Sequence, residues 1–488
     1  MSMENTASAG TATTSSPRAS GRISTILDWL RVRLESMPGE QVFTRTSVLL
    51  FLGFWLLFVV YIQFPAKLNF DEFHYIPSAR QFLDLAENRN YEHPPLGKEL
   101  IALGMGIFGD RPIGWRFMST IFGAFTVVGT YAAGAALFRT QLSALFVALM
   151  TGFNNLVYVQ ARIAMLDTFM MAFLVWAFAL GLCAFFPLHA PASLEAGRAR
   201  RLRNLNRSGI AIGLACACKW FAIIPWITLI GVGALYRLMK AWSVRFDSPT
   251  PRTSLPAFFP LEVQDFTFRE LLGAWLLIPL AAYYATFLPF LWIIKNDGNA
   301  FTVRDILVRM QWRMWDGQLR VVSPHPYSST WAQWPLMTRP IWYAFDASGD
   351  KQFVRGVALI GNPLVLWGGL AALAWTFWDW IRTRTFAAFW IVATYGTMTF
   401  SWALIPRKIA FFYYYYPSAI LLGFAWAYVL QRNSEDLGPE DSPQLPLVLH
   451  LIVLAGTLAL FVYFLPILSA WKIPFSEYRS WMWFRSWI

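Results

Sequence analysis

Two adjacent carboxylates, Asp71 and Glu72, stand just beyond an apolar stretch, in LNFDEFHYIPSARQFL. A carboxylate there can take a proton from an attacking hydroxyl if it comes within hydrogen-bond reach. Acidic groups at the edge of apolar surroundings are costly unless partnered or put to use. The segment continues YEHPPLGKELIALG. Its two prolines stop a helix and present His93 rigidly, and Lys98 opens an apolar helical run. Arg116 follows in IGWRFM, then Arg162 and Asp167 in QARIAMLDTFMM. Arginine offers a fork of donors suited to phosphate, so several cations converging on one point would form an anion cradle. The plainer alternative has Arg162 reaching headgroups and pairing with Asp167 across the turn. Farther on, HPYSSTWAQWPLMTRPIWY combines Trp331, Trp334 and Arg339, and SWALIPRKIAFFYYYYPSAI sets Arg407 and Lys408 before a tyrosine run. The first is an interfacial belt or a wall for a sugar or peptide. The second is interface anchoring or a pair of cations for a lipid phosphate.

These residues need elements to position them. The chain of 488 residues is 57% hydrophobic and only 14% charged. Soluble proteins carry about 25% charged residues, so a soluble enzyme, a disordered chain and a fibrous protein are excluded. A polytopic, all-α membrane protein remains. The net charge of +12 is read as topology and lipid contact, not nucleic-acid binding. Cys183, Cys216 and Cys218 all lie in apolar stretches, which argues against a disulfide framework.

A membrane-crossing helix needs about 20 mostly apolar residues. Candidates are 46–65, 113–137, 141–160, 165–186, 271–293, 356–380, 385–404, 410–430 and 446–469. The stretch 208–239, broken near Lys219, is long enough for two short spans, which makes about eleven in all. Arg31, Arg33 and Arg45 precede the first span, so a cytoplasmic N-terminus is expected, and the other basic short loops then fall on the same side. No short apolar region with a cleavage site lies directly behind the start, and the first span is expected to act as insertion signal.

This reading divides the chain into a disordered cytoplasmic tail (1–22), an N-terminal catalytic module (23–294) with an outer loop (66–112), an outer amphipathic, Trp-rich loop (295–355) and a C-terminal four-helix module (356–488). Within the second loop, Phe301 to Leu319 is expected to form an amphipathic helix. It either lies in the interface with Trp312 and Trp315 at headgroup level or packs on the protein.

In order and spacing the chain resembles the protein O-mannosyltransferase family, a branch of the GT-C glycosyltransferases. The matching residues are Asp71-Glu72 with Tyr75, the run His93-Pro94-Pro95-Leu96-Gly97-Lys98, Gly114-Trp115-Arg116, and Arg162 with Leu166-Asp167. They continue with Lys219-Trp220, the Ser329 to Arg339 loop, Gly361-Asn362-Pro363 and Pro406-Arg407. The resemblance spans about residues 45 to 430, and HPPLGK after an acidic pair is its most specific part.

The resemblance implies a GT-C fold, a lipid-phosphate mannose donor, a Ser or Thr hydroxyl acceptor on a translocated protein, and inversion at the sugar carbon. It makes Asp71 the base and gives Glu72 the orientation of acceptor or cations. His93, Lys98, Arg116, Arg162, Asp167, Arg407 and Lys408 would hold the donor's phosphate and sugar. Tyr75, Trp331, Trp334 and Arg339 would wall the sugar or acceptor. The loop 295–355 has no room for the β-trefoil domain of eukaryotic members. The chain therefore looks like the bacterial type, with a polyprenyl-phosphate donor, an inner-membrane location, an extracytoplasmic site and the secretory translocon as a possible neighbour. A donor with one phosphate does not require a metal or other cofactor, although paired carboxylates are able to hold a divalent cation. Two other functions stay open: a lipid or envelope-polysaccharide glycosyltransferase like the lipid A aminoarabinose transferase, and, from another class, a transporter. A transporter would be expected to place its ionisable residues at the midplane rather than at one face.

Overall fold

The computed structural model describes residues 28–88, 90–245, 266–320, 324–405, 407–436 and 444–487. The tail 1–22 lies outside the described residues. The chain is mainly helical. Among the described residues, six helices are long and apolar enough to cross a membrane: α1 (Glu40–Val59), α4 (Pro112–Phe138), α7 (Leu166–Phe185), α10 (Phe268–Trp292), α12 (Leu364–Thr383) and α15 (Leu445–Leu468). Between them come α2 (Glu72–Leu83), α3 (Leu96–Phe108), α5 (Gln141–Gly152), α6 (Asn155–Gln160), α8 (Leu194–Cys218), α9 (Ile223–Arg245), α11 (Met310–Leu319), α13 (Phe386–Phe400) and α14 (Tyr416–Asp436).

Six such helices among the described residues stand against about eleven expected spans, and the bounds differ at several: the run 385–404 forms only the 15-residue α13, and the first span runs 40–59 rather than 46–65. The stretch 141–160 is broken into α5 and α6 at Asn154, whose side chain accepts from the Leu156 amide and starts a new helix. The span expected from 356 begins at Leu364, because 353–359 is a strand. In the sequence its apolar residues run straight into those of the helix, with no alternation to mark a strand. The break at Lys219 is present: its backbone is extended between α8 and the turn leading to α9.

The centre of the bundle is α7, with 83% of its apolar window buried, against 17% for α1. A helix apolar all round must be enclosed or face lipid, and these two show the alternatives. Tight packing in lipid relies on small residues. The run from Gly123 to Ala136 supplies them on α4: a side chain at Gly123 would collide with Ala161, and one at Gly134 would crowd Ala144 on α5.

The segment between α11 and α12 contains an antiparallel hairpin, β1 (Ile341–Ala347) with β2 (Phe353–Leu359), and β2 also pairs with β3 (Ile473–Pro474). Asn362, just past β2, donates to the Thr457 carbonyl and accepts from the Leu364 amide, tying the sheet to α12 and α15. The three cysteines are free and buried.

Candidate active site

Asp71 occupies the position before α2, where an aspartate normally caps the helix by accepting from its first amides. Its side chain makes no such bond. It accepts instead from the Tyr75 hydroxyl at 3.3 Å and the Tyr413 hydroxyl at 3.4 Å. The residue before it, Phe70, is held at φ 49°, a left-handed conformation that a bulky side chain rarely adopts. Phe411, Tyr413, Tyr343 and His325 pack around the Phe70 ring and enforce that turn. Desolvation raises the Asp71 carboxyl above the usual aspartate range, and the positive charge of Lys219 opposes the rise.

Glu72 faces the other way. Both its oxygens meet the Arg116 fork, at 2.7 and 2.8 Å, and they also accept from the amides of Ala164 and Asn69. The pair is fully buried. The remaining Arg116 donors bind the carbonyls of Ile62, Pro65 and Lys67. Every donor of that guanidinium is therefore occupied, and Arg116, expected to grip phosphate, instead anchors the chain that leads into Asp71. Glu72, expected beside the reacting groups, is its counter-ion. Adjacent residues on a helix start point in different directions, which sequence adjacency conceals.

The other predicted cations separate in the same manner. Lys98 donates to the carbonyls of Asn90 and His93, and burial lowers its ammonium to about 7; it props the His-Pro-Pro run from behind. Arg162 binds the Phe58 and Val60 carbonyls at the end of α1 and lies over the Tyr158 ring. It does not pair with Asp167, which takes two bonds from Lys219, at 2.9 and 2.8 Å, in a buried ion pair. Lys219 also lies 4.9 Å from the ring centres of both Tyr413 and Tyr414. Arg407 approaches the same aromatic group at 5.1 Å from Tyr414. Its Nε donates to the Ile409 carbonyl and its Nη1 to Gln318. Gln318, on α11, in turn donates to the Glu92 carbonyl and meets His93 Nδ1 at 3.4 Å. Desolvation, with Lys219 and Arg407 nearby, holds the His93 imidazole well below its ordinary pKa, so it is neutral. Lys408 is exposed and apart from this group.

Tyr75 lines the site as expected. Trp334 is buried behind it, donating to Ser329 and packing on Trp402, which stacks on Tyr414. Trp331 packs on Phe400, and Arg339 ties its own loop together through the Pro326 carbonyl. These three brace the wall rather than form its surface. The group that does gather is Asp71, Tyr75, His93, Lys219, Tyr413, Tyr414 and Arg407. Lys219 and the two tyrosines were not singled out as site residues from the sequence. The signals were a lysine at a span break and a tyrosine run directly after a cation pair.

A family model described as dolichyl-phosphate-mannose-protein mannosyltransferase matches residues 107–295. A second, the C-terminal four-transmembrane region of protein O-mannosyltransferase, matches residues 304–487. The chain belongs to the protein O-mannosyltransferase family. Within the family, it is 27% identical to the polyprenol-phosphate-mannose–protein mannosyltransferase of Mycolicibacterium smegmatis, over 86% of this chain and 87% of that one. Its fold is like that of the S. cerevisiae Pmt1-Pmt2 protein O-mannosyltransferase complex bound to the sugar donor, with a TM-score of 0.75 at 14% identity, covering 95% of this chain and 94% of that chain. An undecaprenyl-phosphate 4-amino-4-deoxy-arabinose transferase of Pseudomonas aeruginosa is 31% identical, but over only 31% of this chain and 26% of that one. The mannosyltransferase is thus a GT-C membrane enzyme.

The raised Asp71 carboxyl carries a pH consequence for this family member. Asp71 acting as a base would work only when ionised, so activity would fall as pH drops through its folded-state pKa. That pKa lies above the ordinary aspartate value because desolvation dominates. The acid limb of kcat/KM against pH is then expected above the ordinary aspartate range. An acid limb at or below the ordinary aspartate value would remove Asp71 from the role of base.

Proposed function

We propose that this protein transfers mannose from polyprenyl-phosphate mannose to Ser or Thr hydroxyls of translocated proteins, at the extracytoplasmic face of the inner membrane. The observation that carries this reading is Asp71, which leaves the first amides of its helix uncapped and is held by two tyrosine hydroxyls, in a cluster that also contains Lys219 and Arg407. The acceptor oxygen attacks the anomeric carbon, Asp71 takes the hydroxyl proton, and the bond from that carbon to phosphate oxygen breaks with inversion. The leaving polyprenyl phosphate gains charge, and fixed cations stabilise it more than they stabilise the bound donor.

Arg407 is the residue best placed for that task. Its Nε and Nη1 hold the framework, and its Nη2 makes no hydrogen bond among the described residues. Lys219 gives two of its three donors to Asp167, which leaves one for the phosphate. No metal is needed in this reading, because the side-chain cations supply the charge. Glu72, which would share an ion with Asp71, has both oxygens engaged. The amphipathic helix α11, with Trp312 and Trp315 exposed, lies in the outer interface, and the N-terminus is cytoplasmic. The translocon is the natural neighbour for an enzyme that meets unfolded acceptors.

The purified enzyme is tested with polyprenyl-phosphate mannose and a Ser/Thr peptide. Arg407→Gln is expected to lower kcat about 10²–10³-fold, the scale of losing one preorganised charge-stabilising donor. Transfer at the wild-type rate would exclude Arg407 from the leaving-group site. Transfer to a membrane glycolipid, with none to any peptide, would instead support the aminoarabinose-transferase-like reading.

A further inference from the structure

We propose that the free edge of β1 receives the acceptor polypeptide as an added, extended strand and leads its hydroxyl to Asp71. This rests on the protein-acceptor reading above. The phase of the hairpin shows which backbone groups are available. At the hairpin end, the Ser348 amide donates to the Phe353 carbonyl at 2.9 Å. The register then runs Ala347 opposite Val354, Asp346 opposite Arg355, Phe345 opposite Gly356 and Ala344 opposite Val357. In an antiparallel pair, residues alternate between bonding inward and pointing outward. Ala344 and Asp346 therefore bond to β2, and Phe345 and Ala347 direct their N–H and C=O groups away from it. The opposite strand agrees: Gly356, in the outward phase, accepts from the Ala470 amide on its far side.

On β2 that outward row is covered by β3, but on β1 it is not. Among the described residues no backbone hydrogen bond reaches Phe345 or Ala347 from outside the hairpin, and residues 345–347 are exposed. An open edge of this kind is a template for strand addition.

The direction of the strand names the occupant. The register shifts between Trp342 and Ala344, leaving Tyr343 as an extra residue. Such bulges re-aim side chains beside active sites. The Tyr343 ring meets Phe70 at 4.9 Å and Tyr413 at 6.5 Å, the residue before the base and the residue bonded to it. Strand residues advance about 3.3 Å each, so a chain paired with Phe345 reaches Tyr343 within two residues. An enzyme that modifies Ser and Thr in varied surroundings must bind what all acceptors share, and that is the backbone.

The test is an N-methyl scan of a Ser/Thr acceptor peptide, with the full-length wild-type protein and polyprenyl-phosphate mannose. N-methylation at alternate positions on one side of the hydroxyl residue is expected to raise the peptide KM about tenfold, one hydrogen bond's worth. The intervening positions should have little effect, and kcat should be held. Ala347→Pro, which deletes one outward N–H and leaves the bonds of Asp346 and Ala344 to β2, should raise the same KM by a similar factor without lowering kcat. An N-methyl profile with no period of two would overturn the proposal while leaving the transferase reading intact. Absence of transfer to the unmodified peptide would overturn both.

Discussion

Asp71→Asn is expected to lower kcat by about 10²–10⁴-fold, the usual contribution of a positioned general base, and to leave donor affinity close to wild type. The amide preserves the shape of the side chain and can still accept from Tyr75 and Tyr413. What it cannot do is take a proton. Donor binding should persist because the cations proposed to face the phosphate, Arg407 and Lys219, are supported by other partners. Arg407 is held by Ile409 and Gln318, and Lys219 by Asp167. Single-turnover transfer measured alongside equilibrium binding of polyprenyl-phosphate mannose separates the two effects. Equal loss of binding and turnover would mean that Asp71 organises the donor and that the base lies elsewhere.

The second large effect concerns stability. Arg116→Met should cost about 3–5 kcal/mol, the penalty for leaving one member of a buried ion pair without its partner. Glu72 is completely enclosed, so it would keep an uncompensated charge or take up a proton. Glu72→Gln should also destabilise, by less, since its amide can still meet part of the network. The double variant should lose less than the sum of the two, because each single change exposes the same unmatched partner. Thermal unfolding in a fixed detergent measures this. Wild-type stability in Arg116→Met, with turnover alone reduced, would return Arg116 to the phosphate site and refute the anchoring role.

Three carbonyls in the 62–67 segment also depend on Arg116. Its loss should therefore displace the approach to Asp71 and reduce turnover indirectly. Neighbouring carboxylates therefore predict different phenotypes: loss of turnover at Asp71, the proposed base, and loss of support for the surrounding chain at Glu72.

Much of the architecture was legible from local pattern alone. Apolar runs of sufficient length must be membrane helices, because lipid offers backbone groups no partners. The interruption at Lys219 was visible because a charged residue inside such a run is costly. The hairpin was not visible, since a buried strand and the first turn of an apolar helix have the same composition. The acidic pair, the His-Pro-Pro run and the Gly-Trp-Arg segment marked the right region for the same reason: short polar motifs stand out against an apolar background.

What those polar residues do was decided by pairings the linear order cannot express. Arg116 finds Glu72 across 44 positions, Lys219 finds Asp167 across 52, and Tyr413 reaches Asp71 across 342. A cation's role depends on which of its donors the fold has already used. Arg116 has none left, Lys98 supports a loop, and Arg407 retains an open side. Residue type and spacing were enough to determine a membrane enzyme with an acid–cation site beside a long apolar bundle. Only the packing of distant segments, through the geometry and desolvation it imposes, determined which acid joins the tyrosine cluster and which charges neutralise one another.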